Sequence, residues 1–230
     1  MTTIILASAR NYLPGAIRLI ESFRRFHDNP ILVISEDIEY SDIPYEVTIH
    51  RPDVDVYKNI KTAGGYPLLV YYILDSLKLD LDRVVWLGPD QLIIGDMSEA
   101  LESEHDLCAS LEIVDNQYPK MFNDSTLSIR PKAFPGLFNR LISIAEEKPH
   151  RLEEMEVLNE WVKRDNIDVH YHPEYIDVLK RVYVKRRDWW DANKGNIRSI
   201  HFVGKPKPWL GDERGYELLG KLWRGEIEHL

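Results

Sequence analysis

The sequence predicts an α/β domain with a mostly parallel central sheet flanked by helices, and three observations carry that expectation. Short, continuously apolar runs (Ile4 to Ala7, Ile31 to Ile34 and Val84 to Leu87) have the character of strands buried on both faces. Segments of helical periodicity lie between them. The 230 residues, 44% hydrophobic and 29% charged, contain no Ser/Gly-rich linker, low-complexity tract or internal repeat, so a single domain spanning residues 1–230 is expected.

The elements follow in order. After the Ile4–Ala7 strand, Leu13, Ala16, Ile17, Ile20 and Phe23 recur at helical spacing behind Pro14, a residue tolerated in a helix's first turn. The Ile31–Ile34 strand follows Asn29-Pro30 and completes a βαβ unit. From Tyr66 a second helix runs through Leu68, Leu69, Tyr72, Ile73 and Leu77, and Gly88-Pro89 stops the next strand, because proline cannot donate to a central ladder. Asp106 to Glu112 and Thr126 to Arg130 read as strands. Phe134, Leu137, Phe138, Leu141, Ile142 and Ala145 mark one amphipathic helix, and Met155, Leu158, Trp161 and Val162 another. A last strand is expected near Ser199 to Val203, within an irregular carboxyl-terminal portion.

Charge and cysteine content exclude several function classes. A formal net charge of −9 disfavours a general nucleic-acid binder, which presents a net basic face. The acidic excess resides in Asp80 to Asp115, with ten acids and one base, whereas positive charge gathers at Lys180–Arg187 and Lys205–Lys207. Cys108 is the sole cysteine, which rules out an intrachain disulfide and a cysteine-based zinc cage; a buried, inert thiol in a reducing compartment is expected. Met1 to Ala9 lacks a signal peptide's basic start, and no apolar run is long enough to span a bilayer, so the expected location is cytoplasmic. Ser8 to Tyr12 contains no glycine, which argues against a dinucleotide fingerprint. Gly204-Lys205 fails as a phosphate loop, since Ser199 stands where the earlier glycine belongs and Pro206 follows the lysine. His170 and His172 would share one side of a strand with no carboxylate at a telling spacing, as polar edge histidines do. The acids Glu153 and Glu156, which could suggest a glycoside hydrolase, are explained more simply by the positive amino-terminal end of a helix starting near Arg151.

Open α/β sheets bind ligands beyond the carboxyl ends of their strands, and three segments with chemical potential fall there. In His201-Phe202-Val203-Gly204-Lys205-Pro206-Lys207-Pro208-Trp209 a histidine and two lysines meet on a backbone restricted by glycine and proline. That group suits a metal with an anionic oxygen cluster, or else a surface turn anchored by tryptophan. Gly88-Pro89-Asp90 presents a carboxylate at a strand end, either as a hard-cation ligand or as a turn former. Asn11 to Ala16 sets Tyr12 beside a helix start, where its ring could stack on a base or close the core's edge.

Together these segments resemble glycosyltransferase family 8, the glycogenin-like retaining transferases with a GT-A (Rossmann-like) fold, from about Ile4 to Trp209. The family's His-Phe-x-Gly-x-x-Lys-Pro-Trp motif is matched by His201, Phe202, Gly204, Lys207, Pro208 and Trp209. Tyr12, Gly15 and Ala16 match the start of its first helix, and Phe122-Asn123 another family segment. The resemblance implies a sugar-nucleotide donor, usually with uridine diphosphate (UDP), and a divalent cation, usually manganese with magnesium as the alternative. It implies a nucleotide-binding half over about residues 1–105 and an acceptor-side half over about 106–230. By the same resemblance Tyr12 stacks on uracil, Asp90 and His201 ligate the metal, and Lys207 contacts the diphosphate with Asn123 and Gly204 at the donor. Asp124, Glu154, Met155 and Trp209 would border the sugar or acceptor pocket.

Two segments depart from the family pattern. Gly88 stands where the first carboxylate of Asp-x-Asp belongs, with Asp124 and Glu154 as candidate replacements. In Glu154-Met155-Glu156-Val157-Leu158-Asn159, Glu and Met replace the family's Asp and Gln. These changes leave two outcomes: a transferase with a reduced metal shell, or a sugar-nucleotide binder of the same fold without catalysis. The acceptor is unassigned. Five basic residues from Lys180 to Arg187, followed by Trp189-Trp190, would suit an anionic acceptor such as a phosphorylated glycan, a lipid head group or modified DNA, or form a solvated basic strand.

Overall fold

The computed structural model describes residues 1–62, 68–111, 121–150, 153–211, 215–228 and 230. Tyr66, Glu112, Asp115 and Arg151, placed by the sequence at element or segment boundaries, lie outside the described residues. The strands are β1 (Thr2–Ala7), β2 (Ile31–Ile34), β3 (Thr48–His50), β4 (Arg83–Leu87), β5 (Gln91–Ile93), β6 (Leu107–Leu111), β7 (Phe122–Ile129), β8 (His170–Tyr171), β9 (Val178–Leu179) and β10 (Ser199–His201). The helices are α1 (Leu13–Phe23), α2 (Ser98–Leu101), α3 (Leu137–Glu147), α4 (Glu153–Asp165), α5 (Val182–Lys185), α6 (Arg187–Asn193) and α7 (Glu217–Arg224).

Seven strands form the central sheet in the order β3-β2-β1-β4-β7-β6-β8, and three form a smaller sheet, β5-β10-β9. The central sheet is mostly parallel, with β7 running antiparallel to both β4 and β6. Side chains alternate across each strand, so the continuous apolar runs feed two cores at once. Ile5, Leu32, Ile34, Val84 and Trp86 face one side, packed by α3, α4 and a helix of 3-10 winding over Leu68–Lys78. Ile4, Leu6, Val33, Val85 and Leu87 face the other, against α1 and the short α2. Each such side chain, fully buried, stabilises the fold by about 1.5–3 kcal/mol. Trp86 is the largest of them, and its indole nitrogen donates to Ser76 Oγ at 3.0 Å, so the indole N–H is not stranded in that core.

A third core lies under the small sheet, where Leu92, Val178, Ile200 and Phe202 meet Trp190 and the α7 residues Leu219, Leu222 and Trp223. This packing overturns the solvated basic strand expected at Lys180–Arg187. The chain leaves β9 and turns helical, Tyr183 N donating to Lys180 O, because Val182 and Trp190 are drawn into the third core. Lys180 itself is only 2% exposed. Cys108 is buried, with Ser103 Oγ 2.9 Å from its sulfur. Among the described residues no helix is long and apolar enough to cross a membrane.

Candidate active site

The site forms where the two sheets diverge. β4 belongs to the central sheet and β5 to the small one, and the tight turn Gly88-Pro89-Asp90 carries the chain between them, closed by Gln91 N donating to Gly88 O at 3.0 Å. Asp90 is therefore delivered to the carboxyl end of β4, where open sheets present ligand-binding groups. Antiparallel pairing of β5 with β10 sets His201 opposite Gln91, and Phe202 N donates to Asp90 O at 2.8 Å. That register brings the imidazole to the carboxylate: His201 Nε2 lies 3.2 Å from Asp90 Oδ1. The chain then loops through Gly204, whose φ of 69° falls in the left-handed region that favours glycine, and returns Lys207. Its ammonium donates to Asp90 Oδ2 and, at 3.0 Å, to Phe202 O. All three side chains are buried.

These contacts set the charges. Burial alone would raise the Asp90 pKa, but His201 and Lys207 outweigh it and hold the carboxyl well below the usual range. Burial opposes a charged His201, yet Asp90, and then Asp177 with Oδ2 3.8 Å from Nδ1, raise its pKa. Asp177 is anchored in turn. Gln91 Nε2 donates to its Oδ1 at 3.0 Å and to Thr126 Oγ1 at 2.9 Å, while Ser125 Oγ donates to Asp177 Oδ2. This polar network ties β5, β7 and the residue preceding β9 behind the histidine.

Lys180 adds another cation. Its backbone N–H donates to His201 O at 2.9 Å, and its ammonium donates to Pro206 O at 2.5 Å and sits 5.1 Å from the Tyr216 ring centroid. Burial, followed by the charge of Lys207, lowers its pKa to about 8. Tyr12 and Trp209 form the aromatic wall, edge to face with centroids 5.8 Å apart, each ring centroid 5.9 Å from the Lys207 ammonium.

The sequence-assigned residues Tyr12, Asp90, His201, Gly204, Lys207 and Trp209 thus occupy one locality. Asn123 lies on β7, its Oδ1 accepting from Ser125 N at 2.9 Å. Asp124 and Glu154 form a separate acidic pair: burial and the Asp124 charge raise the Glu154 pKa well above its ordinary value. Among the described residues neither joins Asp90 and His201 in a group able to hold a metal ion. Met155 sits one turn before Asn159, whose amide donates to Met155 O at 2.8 Å and to Phe122 O at 3.0 Å, pinning α4 to β7. Sequence reasoning did not single out Gln91 or Asp177 and did not anticipate that Lys180 packs against His201 and Pro206. Gln91 adjoins Asp90 and could have been noticed, but Lys180 was hidden inside a run of basic residues.

As a divalent-cation site the group is incomplete among the described residues. Asp90 and His201 have suitable chemistry, and a Cβ built on Gly88 would lie 3.0 Å from Asp90 Oδ1 and 3.9 Å from His201 Nε2, so a carboxylate at this position would emerge beside both. No third His, Cys, Asp or Glu joins the pair among the described residues. Both Asp90 oxygens are already engaged, one by an ammonium that would repel a neighbouring cation. These residues do not complete a metal site.

The fold is that of the GT-A glycosyltransferases. An active-site mutant of LgtC superposes with a TM-score of 0.74 at 16% identity, covering 99% of this chain and 100% of that one. The galactosyltransferase LgtC in complex with donor and acceptor sugar analogues gives 0.66 at 15% identity over the same shares, 99% and 100%. GlyE of Streptococcus pneumoniae TIGR4 gives 0.68 at 15% identity, covering 99% of this chain and 64% of that one. No protein-family model and no curated protein matches the chain.

Proposed function

We propose that this protein is a retaining glycosyltransferase that moves a hexose from a UDP-sugar to an acceptor hydroxyl. The observation that supports it is the convergence of Tyr12, Asp90, His201, Lys207 and Trp209, from three separated segments, on the strand ends of a GT-A fold. LgtC, of the same fold, has been crystallised with donor and acceptor sugar analogues.

In this reading the uracil stacks on Tyr12 and the diphosphate takes Lys207 as its counter-ion. The sugar extends toward Asn123, Asp124, Glu154 and Met155. The bond from the anomeric carbon to the diphosphate oxygen breaks while the acceptor oxygen bonds to the same face, and the departing diphosphate takes the acceptor proton. Charge accumulates on the diphosphate during this step, so a pre-positioned ammonium stabilises the transition state more than the ground state. The acceptor is unassigned, with an anionic glycan or lipid head group suiting Lys185, Arg186 and Arg187 beside α6.

The test is incubation with a panel of UDP-sugars and detection of free UDP. Release from one donor, with retention at the anomeric carbon of the product, is expected. UDP binding without release from any donor would instead identify a non-catalytic binder, a reading that Gly88 and Met155 favour.

A further inference from the structure

The disposition of Lys180 is unusual for a lysine. The residue is 2% exposed; among the described residues its ammonium has one hydrogen-bond partner, Pro206 O, and no carboxylate lies within ion-pair distance. An ammonium carries three donors; Pro206 O takes one and the Tyr216 ring lies 5.1 Å away, so among the described residues two donors meet no oxygen acceptor. A buried cation left in that condition is costly unless an anion completes it. The surroundings indicate where the anion comes from. Lys180 is tied by its backbone to His201 and by its side chain to Pro206, the residue preceding Lys207, so the two ammoniums flank one short stretch of main chain. Asp90, whose charge reaches Lys180, is already occupied by Lys207 and His201. Asp177 is likewise committed to His201, Gln91 and Ser125, so neither buried acid of the cluster is left to pair with Lys180.

Resting on the sugar-nucleotide reading above, we propose that Lys180 and Lys207 together hold the donor diphosphate and supply the charge neutralisation for which the site lacks a complete set of divalent-cation ligands. Paired ammoniums suit a diphosphate, whose charge is spread over several oxygens that can accept from both lysines at once. Gly88 is consistent with this arrangement: a second carboxylate beside Asp90 would compete for the lysines that the diphosphate needs.

The test is calorimetric titration of the full chain, stripped with a chelator, using UDP and inorganic diphosphate as separate probes, with and without manganese. The expected result is binding of both probes to the stripped protein, with affinity changed by less than about threefold on adding manganese. Lys180→Met should weaken both probes by about tenfold to a hundredfold, and Lys180→Arg should recover most of the loss. Circular dichroism establishes that the variants fold, and the metal comparison on the unaltered chain does not depend on them. Binding that requires manganese, or a folded Lys180→Met that binds as well as the parent, overturns the proposal and leaves the transferase reading standing. Inorganic diphosphate binding without UDP binding upholds the lysine pair and removes uridine from the proposed function. Failure of both probes under both conditions overturns the two together.

Discussion

Lys207 and Asp90, 117 residues apart in the chain, form a buried ion pair at the junction of the two sheets. Removing one partner of such a pair strands a charge away from water, whereas removing both does not. Asp90→Asn or Lys207→Met alone is expected to cost about 3–5 kcal/mol in urea unfolding, and the double variant less than the sum of the two. Strict additivity would show that the two side chains do not depend on one another.

Gly15 is where α1, the Asp90 turn and the aromatic wall touch. A Cβ there would lie 2.3 Å from Pro89 O and 2.9 Å from the Trp209 ring. Gly15→Ala must push both away, at a cost of about 1–3 kcal/mol from overpacking, although alanine itself favours the helix. Loss of UDP binding should accompany the lowered melting temperature. Unchanged binding in the folded variant would separate Trp209 and the turn from the donor site.

Gly88→Asp places a second carboxylate at the Asp90 turn. The new side chain would emerge beside Asp90 Oδ1 and His201 Nε2, repelling the first until a cation arrives. The variant should melt below the parent in chelator and rise on adding manganese, while the parent does not respond. A parent that is stabilised by manganese as strongly as the variant would show that Asp90 and His201 suffice as ligands.

His172 gives a pH-dependent stability. Burial, then the neighbouring charge of His170, lowers its pKa from 6.5 to about 4, and its buried Nε2 has no hydrogen-bond partner among the described residues. The unfolded chain takes up a proton between those values and the folded one does not, so this contribution is intact above about pH 6.5 and is lost as pH falls toward 4. The loss is on the order of 3 kcal/mol. His172→Gln should flatten that slope, as read from denaturant midpoints across the window. A slope unaltered by the substitution would place the titrating group elsewhere.

Much of the fold was legible because its signals are local. The strands at Ile4, Ile31 and Val84 are buried on both faces and so read as unbroken apolar runs, and α1 shows its stripe behind Pro14. The antiparallel course of β7 left no such mark, since pairing direction is decided by distant partners. The site divides in the same way. His201 and Lys207 share a motif whose spacing reflects a fixed return of the chain, Asp90 shows as a carboxylate on the turn that ends a strand, and their approach depends on the β5–β10 register. Lys180 was misjudged because a basic run looks solvated until the third core is known to draw its neighbours inward. Asp124 and Glu154 interact by mutual charge, a relation that the packing of α4 on β7 brings about and that their distance in the sequence conceals.

The most direct test of the account is a crystal structure of the protein soaked with UDP. The uracil is expected against Tyr12 and the diphosphate within hydrogen-bonding distance of the Lys207 ammonium, at the Asp90–His201 junction. UDP bound away from these residues, with the Lys207–Asp90 pair undisturbed, would contradict it.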